Sequence, residues 1–531
     1  MNAADWLVIG AYGLAVLGIG LWAGRGHQSA ADHHLGRRRL PVWAVLCSML
    51  ATELSAATFI GVPHASYSPG GTWSYLQFAF GALAGKIVLA RTLIPIYHRL
   101  GVITVYGFIE QRFGPLARRA TALCFLCGRV LASGVRLFIA AIAFSVVTGA
   151  GVEASIIIAA ALAGAYTFIG GIRAVVWTDT LQGAIFLVAA IATIGLLALG
   201  VPGGLGGILE WASGEGRLQV FSFPSFLPDG TSGEATLGRL AEILRHIGST
   251  FLGGSRPFLT AFIGGLFLTL ATHGTDHDMV QRLLTTRDGA GGSRALVLSG
   301  LFNFPLTAVF LFIGTGLAAW YATHTADYSL ADAKRILPIF VLHEMPAGLR
   351  GLIFAGLFAA AMSSLDSAIC AIATTWSVDI LKRTPGEKPL LRRTRLASLI
   401  FCALLALSAL GFAHYDSAFA DGSQSLVEFA LSAMTIVYGG LLGAFLLALV
   451  GRGRGNERSV VLGLGAGVLV GLTLFLQPVL WGKTFLAWPW WIVISAAISF
   501  GVAALGRGSS REQGGPLPLP PRCDPPLRSV P

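Results

Sequence analysis

Residues 350–383 read RGLIFAGLFAAAMSSLDSAICAIATTWSVDILKR. The run is apolar and longer than the roughly 20 residues that a helix needs to cross a bilayer. In a helix its central polar residues fall on one face, with Asp366 at the edge of that face; they are Ser363, Ser364, Asp366 and Ser367. An aspartate at that depth costs about 3 kcal/mol or more unless it meets water, an ion or a partner. The serines alone could bond back to carbonyls one turn earlier, but serines and an aspartate together favour a path for a cation.

The composition of the chain is that of a membrane protein. Of its 531 residues, 54% are hydrophobic and 12% are charged, and the mean hydropathy is +0.72. The net charge of +11 could indicate a nucleic-acid partner, but the basic residues lie in alternate loops between apolar runs, which is a pattern of membrane topology. We therefore expect an all-α protein in contact with the lipid bilayer and with no nucleic acid. Five of the six cysteines lie within apolar runs and predict no disulfide framework.

Thirteen membrane spans are predicted, and they are numbered 1 to 13 in chain order. They lie near residues 6–24, 41–67, 73–97, 120–148, 152–169, 174–200, 257–280, 296–322, 350–381, 396–413, 425–450, 459–477 and 485–505. Span 2 is predicted to be broken, because small and polar residues crowd positions 51–58 and are followed by Gly61 and Pro63. Residues 201–256 read as an outer loop with a short helix near 235–247. A single transmembrane domain over 1–506 is then followed by a disordered, proline-rich tail over 507–531.

The lysine and arginine residues predict the orientation of these spans. If the N-terminus is outside, the inner loops and the tail hold 25 of these residues and the outer loops hold 8. Because basic residues accumulate on the cytoplasmic side, the N-terminus is predicted outside and the C-terminus in the cytoplasm. Arginine outnumbers lysine 32 to 5, a bias of GC-rich bacterial genomes, and the bacterial inner membrane is the expected location.

The energy source of a transporter with this sequence is expected to be an ion gradient. The chain contains no GxxxxGK[ST] loop and no glycine-rich strand–helix motif of the kind that binds nucleotides. Glu53 and Ser363 each lie about 13 residues into their spans, near the midplane. Carbonyl groups freed by a broken helix at that depth, together with hydroxyl groups, are suitable ligands for a hard cation.

Four motifs resemble those of the sodium:solute symporters, the family that includes sodium/glucose and sodium/proline transporters. They are TELSAATFIGVP in span 2, GGIRAVVWTDTLQG entering span 6, GTDHDMVQRLL leaving span 7 and AAAMSSLDS in span 9. The resemblance implies a leucine-transporter-like core of two inverted five-helix repeats, about 41–200 and 257–450, with peripheral helices 6–24, 459–477 and 485–505. It also implies sodium-coupled symport of a small organic solute into the cell by alternating access, with Na⁺ as the co-transported ion.

The same resemblance implies a sodium site between spans 2 and 9. Its ligands would be the backbone carbonyls of Ala51, Leu54 and Ala360 and the hydroxyls of Ser363 and Ser364. Some family members have a second sodium site, whose positions match Asp179, Ser363 and Ser367 here. Asp366 replaces a serine or threonine at that site, so either a second sodium or a proton carried on Asp366 is considered. Glu53 lies beside the first site, where it either tunes the charge of the site or pairs with a nearby arginine.

The substrate pocket of this fold is lined by spans 2, 3, 4, 7 and 11. The candidate contacts that occupy or neighbour the hydrogen-bonding positions of the sugar branch are Thr58, Gln77, Thr269 and Thr272. The aromatic and amide residues of that branch are missing, which argues against a glucose- or galactose-type pocket. Arg129 and Arg136 share one face of span 4 at mid-membrane depth, and each either pairs with Glu53 or Asp366 or binds a substrate carboxylate. Arg136 lies nearer the outer entrance, so we predict it as the substrate contact.

Two further interpretations are weaker. A group at the inner end of span 7 could bind a transition metal, although loop contacts explain its polarity equally well; it comprises His273, Asp276, His277 and Asp278. The chain could also be a non-transporting membrane sensor built on the same fold. A membrane enzyme is not expected, because no paired carboxylates or nucleophile–base arrangement stands out.

Overall fold

The computed structural model describes residues 1–24, 38–167, 171–223, 248, 250–255, 257–324, 333–381, 388–419, 426–451 and 453–507. Within these ranges the regular structure is helical. The predicted spans correspond in order to Ala3–Gly24, Val42–Glu53 with Ala57–Tyr67, Trp73–Leu100, Pro115–Thr148, Val152–Thr167, Gly171–Gly200, Phe258–Gly274 with His277–Leu284, Gly289–Thr323, Leu349–Ile380, Lys388–Phe419, Leu426–Val450, Glu457–Phe475 and Trp488–Ala504.

These helices have the lengths and compositions that a membrane protein requires. In the described part of the chain, nine helices are long and apolar enough to cross a bilayer, and two bent helix pairs meet the same test when each pair is taken as one span. The helices of spans 5 and 13 are apolar but shorter. Each predicted span therefore has a helix or a bent helix pair at its position.

Span 2 is broken where its sequence predicts. The helix Val42–Glu53 ends three residues before Ala56, and the second half, Ala57–Tyr67, runs at 55° to the first. The second half begins with a π-helical turn over Ala57–Gly61. Such a break is tolerated in a bilayer only where other groups satisfy the freed backbone.

Span 7 is broken as well, and this break corrects the continuous helix predicted over 257–280. The helix Phe258–Gly274 ends at Thr275, and His277–Leu284 continues at 62° to it. The side chain of Asp276 accepts a hydrogen bond from the backbone N–H of Asp278 at 2.8 Å and so caps the second half. The motif GTDHD thus encodes the end of one helix and the start of the next.

Spans 3 and 7 pack with their backbones in close approach. A methyl group added at Gly81 would collide with the carbonyl of Phe262, and one added at Gly265 would collide with that of Phe78. Small residues allow this approach between membrane helices. Span 9 packs against spans 1, 4 and 6, and span 11 packs against spans 4, 12 and 13.

The first turn of span 1 caps the first turn of span 9. Asp5 Oδ1 accepts the backbone N–H groups of Gly348 at 2.8 Å and Gly351 at 3.1 Å. A Cβ at Gly351 would lie 2.6 Å from Asp5 Cα, so only glycine permits this approach. The two spans therefore begin at the same face of the molecule, as expected for two odd-numbered spans.

The segments between spans differ in part from the prediction. Gly204–Gly214 is a helix within the stretch predicted as an outer loop, and Tyr106–Phe113 is a helix in the predicted inner loop before span 4. The short helix predicted near 235–247 lies outside the described residues, as does the tail beyond Arg507.

Candidate functional site

The break in span 2 frees the backbone carbonyls that the sequence predicts as sodium ligands. In a continuous helix, the N–H groups of Ser55 and Thr58 would donate to the carbonyls of Ala51 and Leu54. Here Ser55 N donates to Glu53 O at 3.0 Å, and Thr58 N donates to Ser55 O at 2.9 Å. The Ala51 carbonyl accepts instead the hydroxyl of Ser363, at 3.1 Å. Spans 2 and 9 therefore meet directly at the break.

The serines of span 9 divide into one that crosses to span 2 and two that bond within their own helix. Ser364 Oγ donates to the carbonyl of Ala360 at 3.4 Å, and Ser367 Oγ approaches Ser364 O at 3.3 Å. Ser363 and Ser364 are both buried. Of the predicted sodium ligands, Ser363 and Ala51 thus meet across the two spans, where hydroxyl and carbonyl groups are uncharged oxygen atoms of the kind that suits a hard cation.

The residues predicted for a second cation lie in a buried ion network. Asp179 Oδ2 accepts from Ser48 Oγ at 2.6 Å and lies 3.3 Å from Arg282 Nη2. Its other oxygen, Oδ1, has no hydrogen-bond partner in the part of the chain that the structure describes. Ser367 Oγ lies 3.4 Å from Asp278 Oδ2. The side chain of Asp366 lies outside the described residues.

Arg282 and Arg129 connect this network across five spans. Arg282 pairs with Asp278 at 2.8 Å and also donates to the hydroxyls of Ser48 at 2.9 Å and Thr52 at 2.7 Å. Arg129 of span 4 pairs with Asp276 at 3.2 Å and with Asp278. Tyr438 of span 11 donates its hydroxyl to Asp276. The aspartates at the break in span 7 thus pair with Arg129, which the sequence left to pair with Glu53, Asp366 or a substrate.

Glu53 pairs with a lysine and a histidine and not with an arginine, which was one of the two roles considered for it from the sequence. Lys86 Nζ lies 2.7 Å from each carboxylate oxygen of Glu53, and His273 Nε2 lies 3.1 Å from Oε1. Lys86 also donates to Ser299 Oγ at 2.9 Å. Lys86 itself was not predicted as a site residue, although a lone lysine within an apolar span signals that a partner is needed.

A cavity of about 150 Å³ adjoins these pairs. Four residues of spans 4 and 7 that the sequence analysis considered as substrate contacts lie on its wall: Arg129, Arg136, Thr269 and Thr272. Span 8 also contributes, through Asn303 and Thr307, which the sequence did not predict. Two predicted contacts are not among the lining residues. Thr58 Oγ1 donates to Glu53 O across the break at 3.2 Å, and Gln77 bonds to Ser74 O at 3.0 Å and accepts from Ser222 N at 3.2 Å.

Arg136 differs from the other cations on the cavity wall in its pairing. Its Nη2 lies 4.0 Å from the sulfur of Met434, and its buried Nη1 has no hydrogen-bond partner among the described residues. No described carboxylate lies within 4.0 Å of its guanidinium, whereas Arg129 has two. An unpaired guanidinium at this depth costs several kcal/mol unless an anion or water reaches it.

The histidines and aspartates at the break in span 7 do not gather as a transition-metal site. In the described residues, no group of three or more His, Cys, Asp or Glu side chains is arranged to hold a metal ion. His273 faces Glu53, while Asp276 and Asp278 pair with arginines. His273, Asp276 and Asp278 therefore form pairs that connect span 7 to spans 2 and 4.

Residues 33–451 match a family model described as the sodium:solute symporter family. The chain is similar to a sodium/sialic acid symporter of Aliivibrio fischeri, with 27% identity over 87% of this chain and 86% of the relative. It is similar to the human sodium-coupled monocarboxylate transporter 1, with 27% identity over 87% of this chain and 74% of the relative. It is also similar to a sodium/glucose cotransporter of Vibrio parahaemolyticus, with 26% identity over 90% of this chain and 86% of the relative.

Solved structures agree with the fold. A substrate-bound, outward-open structure of a Na⁺-coupled sialic acid symporter superposes with a TM-score of 0.76 at 22% identity, over 95% of this chain and 97% of that one. MhsT in complex with L-phenylalanine superposes with a TM-score of 0.50 at 15% identity, over 88% of this chain and 99% of MhsT. The all-helical, leucine-transporter-like fold predicted from the sequence is confirmed.

Proposed function

The chain belongs to the sodium:solute symporter family, and we propose that the solute it carries with Na⁺ is a small organic anion that binds Arg136. Members of this family are transporters that use Na⁺ as the co-transported ion. The observation that supports an anion is the guanidinium of Arg136, which lies on the cavity wall without a carboxylate within 4.0 Å among the described residues.

A carboxylate satisfies Arg136 in a way that a neutral sugar does not. A guanidinium presents paired N–H donors that match the two oxygens of a carboxylate, and such charge-assisted bonds are about twice as strong as neutral ones. A sugar in the same cavity would leave the charge of Arg136 uncompensated. The sialic acid and monocarboxylate relatives are named for anions, and the glucose relative for a neutral sugar; the charge at Arg136 favours the first group.

Sodium binds, in this proposal, between the break of span 2 and the serine face of span 9. The ligands are the carbonyls of Ala51, Leu54 and Ala360 and the hydroxyls of Ser363 and Ser364. The freed carbonyl of Ala51 and its bond to Ser363 support this arrangement. Glu53, in the last turn before the break, also lines the cavity. Sodium and solute therefore bind at the same end of the helix Val42–Glu53. Sodium held there stabilises the form that accepts the solute.

The protein lies in the bacterial inner membrane with its N-terminus outside and its C-terminus in the cytoplasm. The distribution of 25 basic residues to the inner side against 8 to the outer side supports this orientation. The contact between Asp5 and Gly348 is consistent with it, because spans 1 and 9 must both begin outside. Two inverted repeats, about 41–200 and 257–450, organise the core. The bends of 55° and 62° in spans 2 and 7, the first helix of each repeat, support that division.

Uptake into proteoliposomes tests the proposed function. An inward sodium gradient should drive accumulation of a labelled carboxylate, and a potassium gradient should not. Arg136→Lys should raise the half-saturating concentration of the carboxylate by about tenfold or more, because lysine cannot copy bidentate pairing. Arg119→Lys is the matched control, since Arg119 is an exposed arginine on the same span.

Two results would refute the proposal. One is sodium-driven uptake of a neutral sugar, with no carboxylate transported. The other is carboxylate uptake by Arg136→Lys with the same half-saturation as the Arg119→Lys control.

A further inference from the structure

The charged side chains on the cavity wall differ in whether a partner already neutralises them. Lys86 pairs with Glu53, and Arg129 pairs with Asp276, so both wall carboxylates are engaged. With His273 as a neutral imidazole, Arg136 alone of the wall cations has no carboxylate partner among the described residues. The wall therefore offers one positive charge to a ligand.

Lys86 is fully occupied by its protein partners. Two of its three N–H donors point to the carboxylate oxygens of Glu53 at 2.7 Å, and the third points to Ser299 Oγ at 2.9 Å. The side chain is 1% exposed. An ammonium group has three donors, so none is left for a second carboxylate unless Glu53 releases it.

The network behind the wall disfavours a second negative charge. It contains two arginines, Arg129 and Arg282, and three aspartates, Asp179, Asp276 and Asp278. Together with Arg136 these groups are formally neutral, so one carboxylate bound at Arg136 already leaves a charge of minus one, and a second carboxylate would be repelled where water is excluded. A ligand with two carboxylates would find a free guanidinium for only one of them.

The uncharged part of the wall presents neutral hydrogen-bonding groups. Thr269, Asn303 and Thr307 line the cavity, and each carries a hydroxyl or an amide group. The cavity volume is about 150 Å³, which favours a small ligand. A short ligand with a hydroxyl or carbonyl group beside its carboxylate matches these features.

We infer that Glu53, by holding Lys86, limits the substrate to a single negative charge, and that the substrate is a short hydroxy- or oxo-monocarboxylate. The inference rests on the proposed function, because it assumes that Arg136 binds the carboxylate. Glu53 is then a specificity-determining residue that acts through Lys86. Amino acids are disfavoured for the corresponding reason: an ammonium group finds no free carboxylate on the wall.

Competition by lactate and malate tests the charge limit, because the two probes are both 2-hydroxy acids and differ by one carboxylate. Affinities are measured on the purified full chain at saturating sodium, and the half-saturating sodium concentration of each variant is recorded separately. The wild type should prefer lactate. Glu53→Gln releases Lys86 and should shift the lactate-to-malate affinity ratio towards malate by about tenfold or more. Adding Lys86→Met should return the ratio to its wild-type value.

Lys86→Met alone supplies an independent test if Glu53→Gln does not fold. This variant leaves the Glu53 carboxylate with His273 but without a lysine cation, so the affinity for alanine relative to lactate should rise by about tenfold. Three results would overturn the inference. The lactate-to-malate affinity ratio could stay unchanged in folded Glu53→Gln, or it could shift there without being reversed by adding Lys86→Met. The third result is an unchanged affinity for alanine relative to lactate in Lys86→Met alone.

The failure of the proposed function looks different in the same assay. If Arg136→Met binds lactate as tightly as the wild type does, then Arg136 is not the carboxylate site. If lactate affinity depends on Arg136 but the affinity ratios for malate and alanine do not change when Glu53 or Lys86 is replaced, the proposed function stands and the charge limit is wrong.

Discussion

At the scale of single residues, the same polar side chain type serves different purposes according to its partner. Ser363 and Ser364 are neighbours, yet the hydroxyl of Ser363 crosses to the freed carbonyl of Ala51, while that of Ser364 bonds back to Ala360. Arg129 and Arg136 lie seven residues apart on one helix, yet only the first has a carboxylate within 4.0 Å among the residues that the structure describes. In both comparisons the partner, and not the residue type, decides the role.

Replacing the two serines tests the sodium site. Ser363→Ala and Ser364→Ala each remove one oxygen from a proposed site with few alternatives, so the half-saturating sodium concentration should rise by about tenfold, or about 1.4 kcal/mol, per substitution. Sodium-activated uptake measures this change. Ser499→Ala is the control, because Ser499 is a buried serine of span 13 that bonds to Gly440 O at 2.8 Å. Wild-type sodium dependence in the double variant would contradict the assignment.

At the scale of the helix, the breaks and the caps determine where polar groups are available. The break in span 2 directs two carbonyls away from their helical donors, and the break in span 7 places Asp276 and Asp278 where they pair with Arg129. Span 9 is capped by a side chain from another helix, since Asp5 accepts the N–H groups of Gly348 and Gly351. A predicted peripheral helix thereby holds one end of the helix that carries the sodium-site serines.

Loss of this cap should lower the stability of the protein. Asp5→Asn removes a negative charge from the N-terminal end of span 9, and the expected loss is about 1 kcal/mol. Gly351→Ala should cost more, because its Cβ would lie 2.6 Å from Asp5 Cα. Thermal unfolding in detergent measures both. Glu153→Gln, at an exposed acid near the start of span 5, should leave the unfolding temperature unchanged; equal temperatures for all three variants would refute the cap.

At the scale of the whole molecule, one buried network joins the spans that surround the cavity and the proposed sodium site. Span 2 contributes Ser48 and Thr52, span 6 contributes Asp179 and span 7 contributes Arg282. Spans 4 and 11 join through Arg129 and Tyr438, which both contact Asp276. Because breaking a buried pair leaves an uncompensated charge, these spans are expected to change position together during transport.

The stoichiometry of transport tests whether Asp179, which lies in this network, and Asp366 carry a second cation. Asp179→Asn and Asp366→Asn should change the number of sodium ions per solute, or the pH dependence of uptake, more than the choice of solute. The ratio of sodium to solute fluxes in proteoliposomes measures the first quantity. Asp416→Asn, which removes a pair with Lys334 away from the network, is the control. An unchanged ratio and pH profile in both variants would assign Asp179 and Asp366 to structural pairing.

The sequence by itself determined the number and order of the spans and the break in span 2, because apolar runs and helix-breaking residues act locally. The motifs also determined the family and the sodium-coupled function, and they indicate Ser363 and Ser364 as candidate ligands. Only the tertiary structure decided which charges pair. Glu53 meets Lys86 across 33 positions and Arg129 meets Asp276 across 147. Such partners are brought together by helix packing, and no local pattern encodes that packing. For the same reason only the tertiary structure shows that Glu53 and Asp276 pair with other cations, which leaves Arg136 without a carboxylate partner among the described residues.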